Sequence, residues 1–185
     1  MKTILVIYGT TEGQTRKIAS FVADALQARG FRTDLVDSAT PAAAAVQPRY
    51  AAAVIAGSLH EHLHQKSLQH FVQENVAWLN AIPTLFLSVS LEAAMDDPVD
   101  RHQAQHHLQC FLDATGLVPT LAQPVAGALR YTQYDWLRRT MVKLIARQMG
   151  ADTDASHDRE YTDWAALERT IDRFIAAARL TEGTG

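Results

Sequence analysis

A tight, hydroxyl-rich turn, Gly9-Thr10-Thr11-Glu12-Gly13-Gln14-Thr15, constrains this chain more than any other stretch. Before it, Ile4 to Ile7 is an unbroken apolar run rich in β-branched residues, the pattern of a strand covered on both faces of a parallel sheet. After it, Ile18, Phe21, Val22, Ala25 and Leu26 recur at helical spacing. Strand, turn and helix in that order set unpaired N–H groups and the positive end of a helix dipole at the turn, which suits an anion and phosphate above all. Gly9 and Gly13 have the wrong separation for a P-loop, and Gln14 stands where its lysine would be. No G-x-G-x-x-G is present either. Hydroxyls from Thr10, Thr11 and Thr15, the Gln14 amide and backbone N–H groups, with no cation among them, fit one terminal monophosphate. The same spacing also fits a turn that merely caps its own helix.

The pattern then alternates. Gly30 suits a helix stop, and Phe31 to Val36 reads as a second strand. Ala39 to Pro48 reads as a loop with a short helical turn, and Ala51 to Ala56 as a third strand. A helical stripe follows over Ser67 to Leu79, then strand four from Thr84 to Val89 and a helix from Arg101 to Thr115 stopped by Gly116. Strand five spans Leu121 to Ala128 and tolerates Pro124 only at an edge or bulge. A last helix runs from Asp163 to Arg179, leaving Leu180 to Gly185 as a frayed tail. Strands alternating with helices predict an α/β fold with a doubly wound, five-stranded parallel sheet.

Further motifs narrow the reading. Gly9 to Thr15 after a hydrophobic strand resembles the FMN phosphate loop of flavodoxins. Gly57-Ser58-Leu59-His60, Leu87-Ser88-Val89-Ser90-Leu91, Ala126-Gly127-Ala128-Leu129-Arg130-Tyr131, Lys143-Leu144-Ile145 and Tyr161-Thr162-Asp163-Trp164 together resemble the flavodoxin-like protoporphyrinogen oxidases of bacteria, which are menaquinone-dependent protoporphyrinogen IX dehydrogenases. The resemblance runs from about Met1 to Ala178. It implies a flavodoxin-like strand order 2-1-3-4-5, whose switch point lies between strands one and three. The cofactor would then be FMN, held by Thr10, Thr11, Glu12, Gly13, Gln14 and Thr15 around the phosphate. Ser58, Leu59, His60 and Glu61, with Ser88, Val89, Ser90 and Leu91, would wall its ring. No Trp or Tyr lies in Ser58 to Gln65 or Ser88 to Asp96, so the ring would be less stacked than in many flavodoxins.

Residues 1–180 read as one flavodoxin-like domain, with 130–161 inserted before the last helix and 181–185 a tail. Within the insertion, Asp135 to Met149 reads as an amphipathic helix. Trp136, Leu137, Met141, Leu144 and Ile145 oppose Arg138, Arg139, Lys143 and Arg147. That composition fits a helix at an anionic membrane surface, and equally one packed on the sheet with solvated cations. The resemblance favours substrate and quinone access. Arg130, Arg138 and Arg139 would pair with porphyrinogen propionates, and Tyr131, Tyr134 and Trp136 would offer flat apolar surface to the tetrapyrrole. The implied activity is oxidation of protoporphyrinogen IX to protoporphyrin IX in haem biosynthesis, with electrons passed to menaquinone or another quinone. The implied location is cytoplasmic, peripheral on the cytoplasmic face of the inner membrane. No residue identifies itself as a general base. The rival readings are a flavodoxin-like electron carrier and an NAD(P)H:quinone reductase, and the cationic helix weighs against the usually acidic carriers.

Composition excludes other classes. Over 185 residues, 48% apolar and 20% charged with a formal net charge of −3, the chain is an ordinary globular sequence and a poor nucleic-acid binder. No apolar run is long enough to cross a bilayer, and Met1-Lys2-Thr3 leads straight into a strand rather than a signal peptide. The single Cys110, beside Leu108, Phe111 and Leu112, reads as a buried structural thiol. His60, His62, His64, His70, His102, His106 and His107 invite a metal reading, His102 and His106 at i,i+4 spacing, but no H-E-x-x-H is present and they read as solvated side chains, with His60 a candidate proton relay.

Overall fold

A computed structural model describes residues 1–60, 63–129 and 159–181. Its strands are β1 (Thr3–Gly9), β2 (Arg32–Asp37), β3 (Ala52–His60), β4 (Leu63–His64), β5 (Thr84–Ser90), β6 (Leu121–Ala126), β7 (Ala128–Leu129) and β8 (Arg159–Glu160). The helices are α1 (Gln14–Ala28), α2 (Pro41–Ala44), α3 (Lys66–Leu79), α4 (Pro98–Thr115) and α5 (Trp164–Ala177), with a 3-10 turn at Glu92–Ala94. The main sheet has the order β2-β1-β3-β5-β6, all pairs parallel. This is the expected flavodoxin-like order once β4 is counted, a short strand that folds back antiparallel onto the end of β3.

Alternate residues of the central strands feed opposite faces, as a pleated sheet requires. Ile4, Val6 and Tyr8 of β1, with Val54 of β3 and Leu87 of β5, pack against Ile18, Val22 and Leu26 of α1 and Leu167, Ile171 and Phe174 of α5. Leu5, Ile7, Ile55 and Phe86 point the other way, onto Leu68, Phe71 and Val72 of α3 and Leu108 and Phe111 of α4. Burial on both sides is the reason β1 is written without polar residues between Ile4 and Ile7.

The helix stops follow the sequence signals. Gly30 adopts φ 80, with Gly30 N–H on Gln27 O at 3.0 Å and Phe31 N–H on Leu26 O at 3.2 Å. Gly116 closes α4 at φ 71. Pro124 lies in β6, the edge strand, where its missing N–H is tolerated.

Several expectations need correcting. Helix α4 starts at Pro98 rather than Arg101, because the Asp97 side chain accepts from Val99 N–H at 2.7 Å and proline occupies the first helical position. Strand β3 runs on to His60 because β4 pairs with its last residues. Leu180 is not frayed: it is 9% exposed, packs into the first core face and donates its N–H to Ile175 O. Cys110 is exposed, its Sγ 3.5 Å from His106 Nε2, since the buried stripe of α4 is Ala104, His107, Leu108, Phe111 and Thr115. His64 and His107 are buried, not solvated. Among the described residues no group of histidines, cysteines and carboxylates could hold a metal, and no helix is long and apolar enough to cross a membrane.

Candidate functional site

The carboxyl ends of β1, β3, β5 and β6 converge at the switch point between β1 and β3, where doubly wound sheets bind ligands. There a small open cleft is walled by the first turn (Thr10, Thr11, Glu12, Gln14, Thr15), by Ser58 and Leu59 at the end of β3, and by Val89, Ser90 and Leu91 at the end of β5. Gly127 and Ala128 complete it. The three predicted walls therefore meet in one place.

Gly13 is the N-cap of α1, in the left-handed region at φ 91, where a side chain would be strained. It has no side-chain oxygen to offer the first turn, and no side-chain cap is present. The Thr10 hydroxyl accepts from Gly13 N–H at 2.9 Å, shaping the loop without capping the helix. The first-turn N–H groups are thus left for an outside acceptor. Thr15 sharpens the point: its side chain is fully buried, and its Oγ1 has no hydrogen-bond partner. An orphaned buried hydroxyl costs about 1–3 kcal/mol, so its presence beneath a cleft argues for a ligand that satisfies it.

Gln65, which sequence reading passed over, ties two walls together. Its Nε2 donates to Thr11 Oγ1 at 3.0 Å and to Ser58 Oγ. Gly9 makes room for it, because a Cβ there would come within 3.0 Å of both Gln65 Oε1 and Leu68 Cβ. The only signal for Gln65 was its place just before an amphipathic helix.

Not every expected residue reaches the cleft. Ser88 is 1% exposed, and its Oγ pairs with His64 Nε2 at 3.1 Å behind the wall. Ser90 does line the cleft, but its Oγ accepts from Ala93 N–H at 3.2 Å and holds the 3-10 turn. His60 ends β3, while Glu61, Arg130, Tyr131, Tyr134, Arg138 and Arg139 lie outside the described residues. The described lining contains no aromatic side chain. Lys17, one turn into α1, is drawn to Glu160 at 2.5 Å, and its hydrogen bond is the main reason the Glu160 carboxyl sits below the usual range.

His64 wedges between Phe86 and Phe111, with ring centroids 5.6 and 4.8 Å away. Burial first, and the nearby His107 second, push its pKa down to about 4. An unfolded chain binds that proton near pH 6.5, so acid favours unfolding over the window between those values. The stabilisation is whole above the unfolded value and drains away as pH falls. Between pH 7 and pH 5 the folded state should lose about 2 kcal/mol from this group. Urea midpoints at the two pH values will show it, and His64→Asn should largely abolish the difference.

A flavodoxin domain model matches residues 5–156 of this chain. A protein named protoporphyrinogen IX dehydrogenase (quinone) from Escherichia coli strain K12 is 34% identical over 167 residues, 89% of each chain. One of the same name from Leishmania major is 29% identical over 175 residues, 93% of this chain and 74% of that one. Among solved structures, a short-chain flavodoxin associated with a bacterial microcompartment superposes with a TM-score of 0.59 at 13% identity, covering 96% of this chain and 99% of the other. The apo form of an NADH:FMN oxidoreductase gives 0.57 at 14% identity, covering 100% and 94%. At such identities the structural likeness speaks for the fold.

Proposed function

Because the chain belongs to the flavodoxin domain family, we propose that it is an FMN-dependent oxidoreductase that converts protoporphyrinogen IX to protoporphyrin IX and passes the electrons to a quinone. The observation that carries the reading is the likeness to relatives of that name along 89% of both chains. The geometry adds a seat whose donors fit a flavin phosphate, namely an uncapped helix start above the unpartnered Thr15 hydroxyl.

Bound FMN supplies two-electron redox chemistry, which no protein side chain here provides. The protein holds and orients it. Thr10, Thr15, Gln14 and the first-turn N–H groups of α1 take the phosphate. Ser58, Leu59, Val89, Ser90 and Leu91 border the ring, and Gln65 keeps the first two walls at a constant separation through Thr11 and Ser58. Leu59, Val89, Leu91 and Ala128 make the lining partly aliphatic, a surface suited to the flat apolar face of a tetrapyrrole. In the insertion, Arg130, Arg138 and Arg139 pair with propionates, and Tyr131 and Tyr134 cover the macrocycle. The basic amphipathic stretch Asp135 to Met149 brings the protein to an anionic membrane surface, where menaquinone is the acceptor.

The purified protein should be yellow. Mixed with protoporphyrinogen IX without oxygen, it should lose its flavin colour and develop porphyrin fluorescence, with turnover continuing only when a quinone is added. Bleaching by NADPH alone would point to a pyridine-nucleotide reductase, and reduction only by a partner protein to an electron carrier.

A further inference from the structure

Gln65 reaches two walls of the cleft from a fixed base. It follows His64, which pairs with Leu59 in the β3–β4 hairpin. It is also the N-cap of α3, its carbonyl accepting from Gln69 N–H at 3.0 Å, yet its side chain does not cap that helix. The amide nitrogen instead donates to Thr11 Oγ1 at 3.0 Å and to Ser58 Oγ. Those two bonds use both hydrogens of the NH2 group.

Which way round the amide stands follows from its other end. Oε1 is buried without a hydrogen-bond partner. It lies 3.0 Å from the place a Gly9 Cβ would take, so it faces the α-hydrogen that glycine carries there. A carbonyl oxygen gains a weak contact from such a C–H. Turned over, the amide would bury its N–H donors against that hydrogen, and orphaned buried N–H groups are rarer and costlier than an under-satisfied carbonyl.

The consequence falls on the two hydroxyls. Each has one hydrogen, and each already accepts from Gln65, so that hydrogen goes elsewhere. Among the described residues no protein acceptor takes it from Thr11 Oγ1 or Ser58 Oγ, and both residues line the cleft. We propose that Gln65 is a positioning residue that sets the polarity of these hydroxyls, so that Thr11 meets the flavin phosphate, and Ser58 an acceptor atom of the flavin ring, as hydrogen-bond donors. An acceptor in place of the NH2 would draw both hydrogens back and leave lone pairs facing the ligand. This rests on the FMN half of the function proposed above and on none of the porphyrin half.

The test uses the full-length protein, stripped of flavin and titrated with FMN and with riboflavin, which lacks the phosphate. Gln65→Glu keeps the side-chain length and the bridge but accepts from both hydroxyls. At neutral pH it should bind each flavin about tenfold more weakly than wild type. Riboflavin carries no phosphate charge, so its loss separates the hydroxyls from simple repulsion. Its affinity should recover, in this variant alone, as pH falls through the ordinary glutamate range. Gln65→Met, which bridges nothing but competes for neither hydrogen, should lie between the two. A glutamate variant that binds riboflavin as wild type does overturns the proposal, because a loss confined to FMN marks charge repulsion. A methionine variant as weak as the glutamate one overturns it too, since the bridge would then only hold the walls apart. Should the glutamate variant not fold, Ser58→Ala and Thr11→Val carry the test: the first should weaken both flavins and the second FMN alone, and no change in either overturns the proposal. A wild-type protein that takes up neither flavin overturns the cofactor assignment and this proposal with it, whereas FMN uptake without porphyrinogen oxidation overturns only the substrate assignment.

Discussion

Replacing Thr15 with valine is expected to move two measurements in opposite directions. The Thr15 hydroxyl is fully buried and has no partner. In the flavin-free protein it contributes only its desolvation cost, so an isosteric methyl should stabilise that state by about 1 kcal/mol. With FMN present the same hydroxyl donates to a charged phosphate, a bond worth about 1.5–3 kcal/mol. FMN affinity should therefore fall roughly ten- to hundredfold, while riboflavin affinity changes little. Denaturation of the stripped protein and a fluorescence titration with each flavin check both halves. A residue that served only the stability of α1 would move neither titration. A valine variant less stable than wild type without flavin would show that the hydroxyl already has a partner inside the protein.

The second large effect belongs to Phe86→Ala. Phe86 is fully buried in β5, and its ring stacks on Phe111 at 4.5 Å with planes 10° apart. Its other neighbour is His64, at 5.6 Å. Truncation removes a large apolar surface and opens a cavity between β5 and α4, which typically costs about 3–5 kcal/mol. A second readout separates this from generic damage. The vacated space admits water beside His64, so its pKa should rise from about 4 back toward the ordinary histidine range, and the acid sensitivity of stability should flatten. Denaturant midpoints give the first quantity, and an NMR titration of the His64 ring gives the second. A large loss of stability with an unchanged His64 titration would separate the cavity from the imidazole's environment.

How much was legible in the chain depends on the range of the contacts involved. The opening strand, turn and helix were legible because each carries its own local signal: an apolar run, a tight turn rich in hydroxyls and glycine, then helical periodicity. The cleft walls Ser58, Leu59, Val89, Ser90 and Leu91 followed from topology, because a parallel sheet with crossover helices brings those strand ends to one rim. Gly127 and Ala128 were not read as cleft residues, since they offer backbone and small surface rather than side-chain chemistry. The β3–β4 hairpin escaped because Glu61-His62 between its strands contains none of the usual turn residues. The start of α4 was readable in Asp97-Pro98 but was outweighed by the apolar stripe beginning later. Cys110 was misread for a related reason: apolar neighbours in sequence say little about a helix face, and position 110 falls outside the buried stripe. Thr162 stood inside a motif noted for resemblance alone. Nothing local connects it to Gln14, and only the folded chain brings the two within a hydrogen bond.

That long reach has a bearing on how the protein is made. Gln14 and Lys17 find their partners at Thr162 and Glu160, and Arg29 meets Asp172 at 2.7 Å, while Phe174 and Ile171 cover the inner face of β1. During translation the N-terminal half therefore leaves the ribosome with one face of its sheet covered by α1 but not yet by α5, and it stays so until the closing helix emerges. Loading of the flavin belongs after synthesis of nearly the whole polypeptide, and a nascent chain stalled before residue 159 would present the apolar ground of α5, beside α1, to chaperones and proteases in place of a finished cradle.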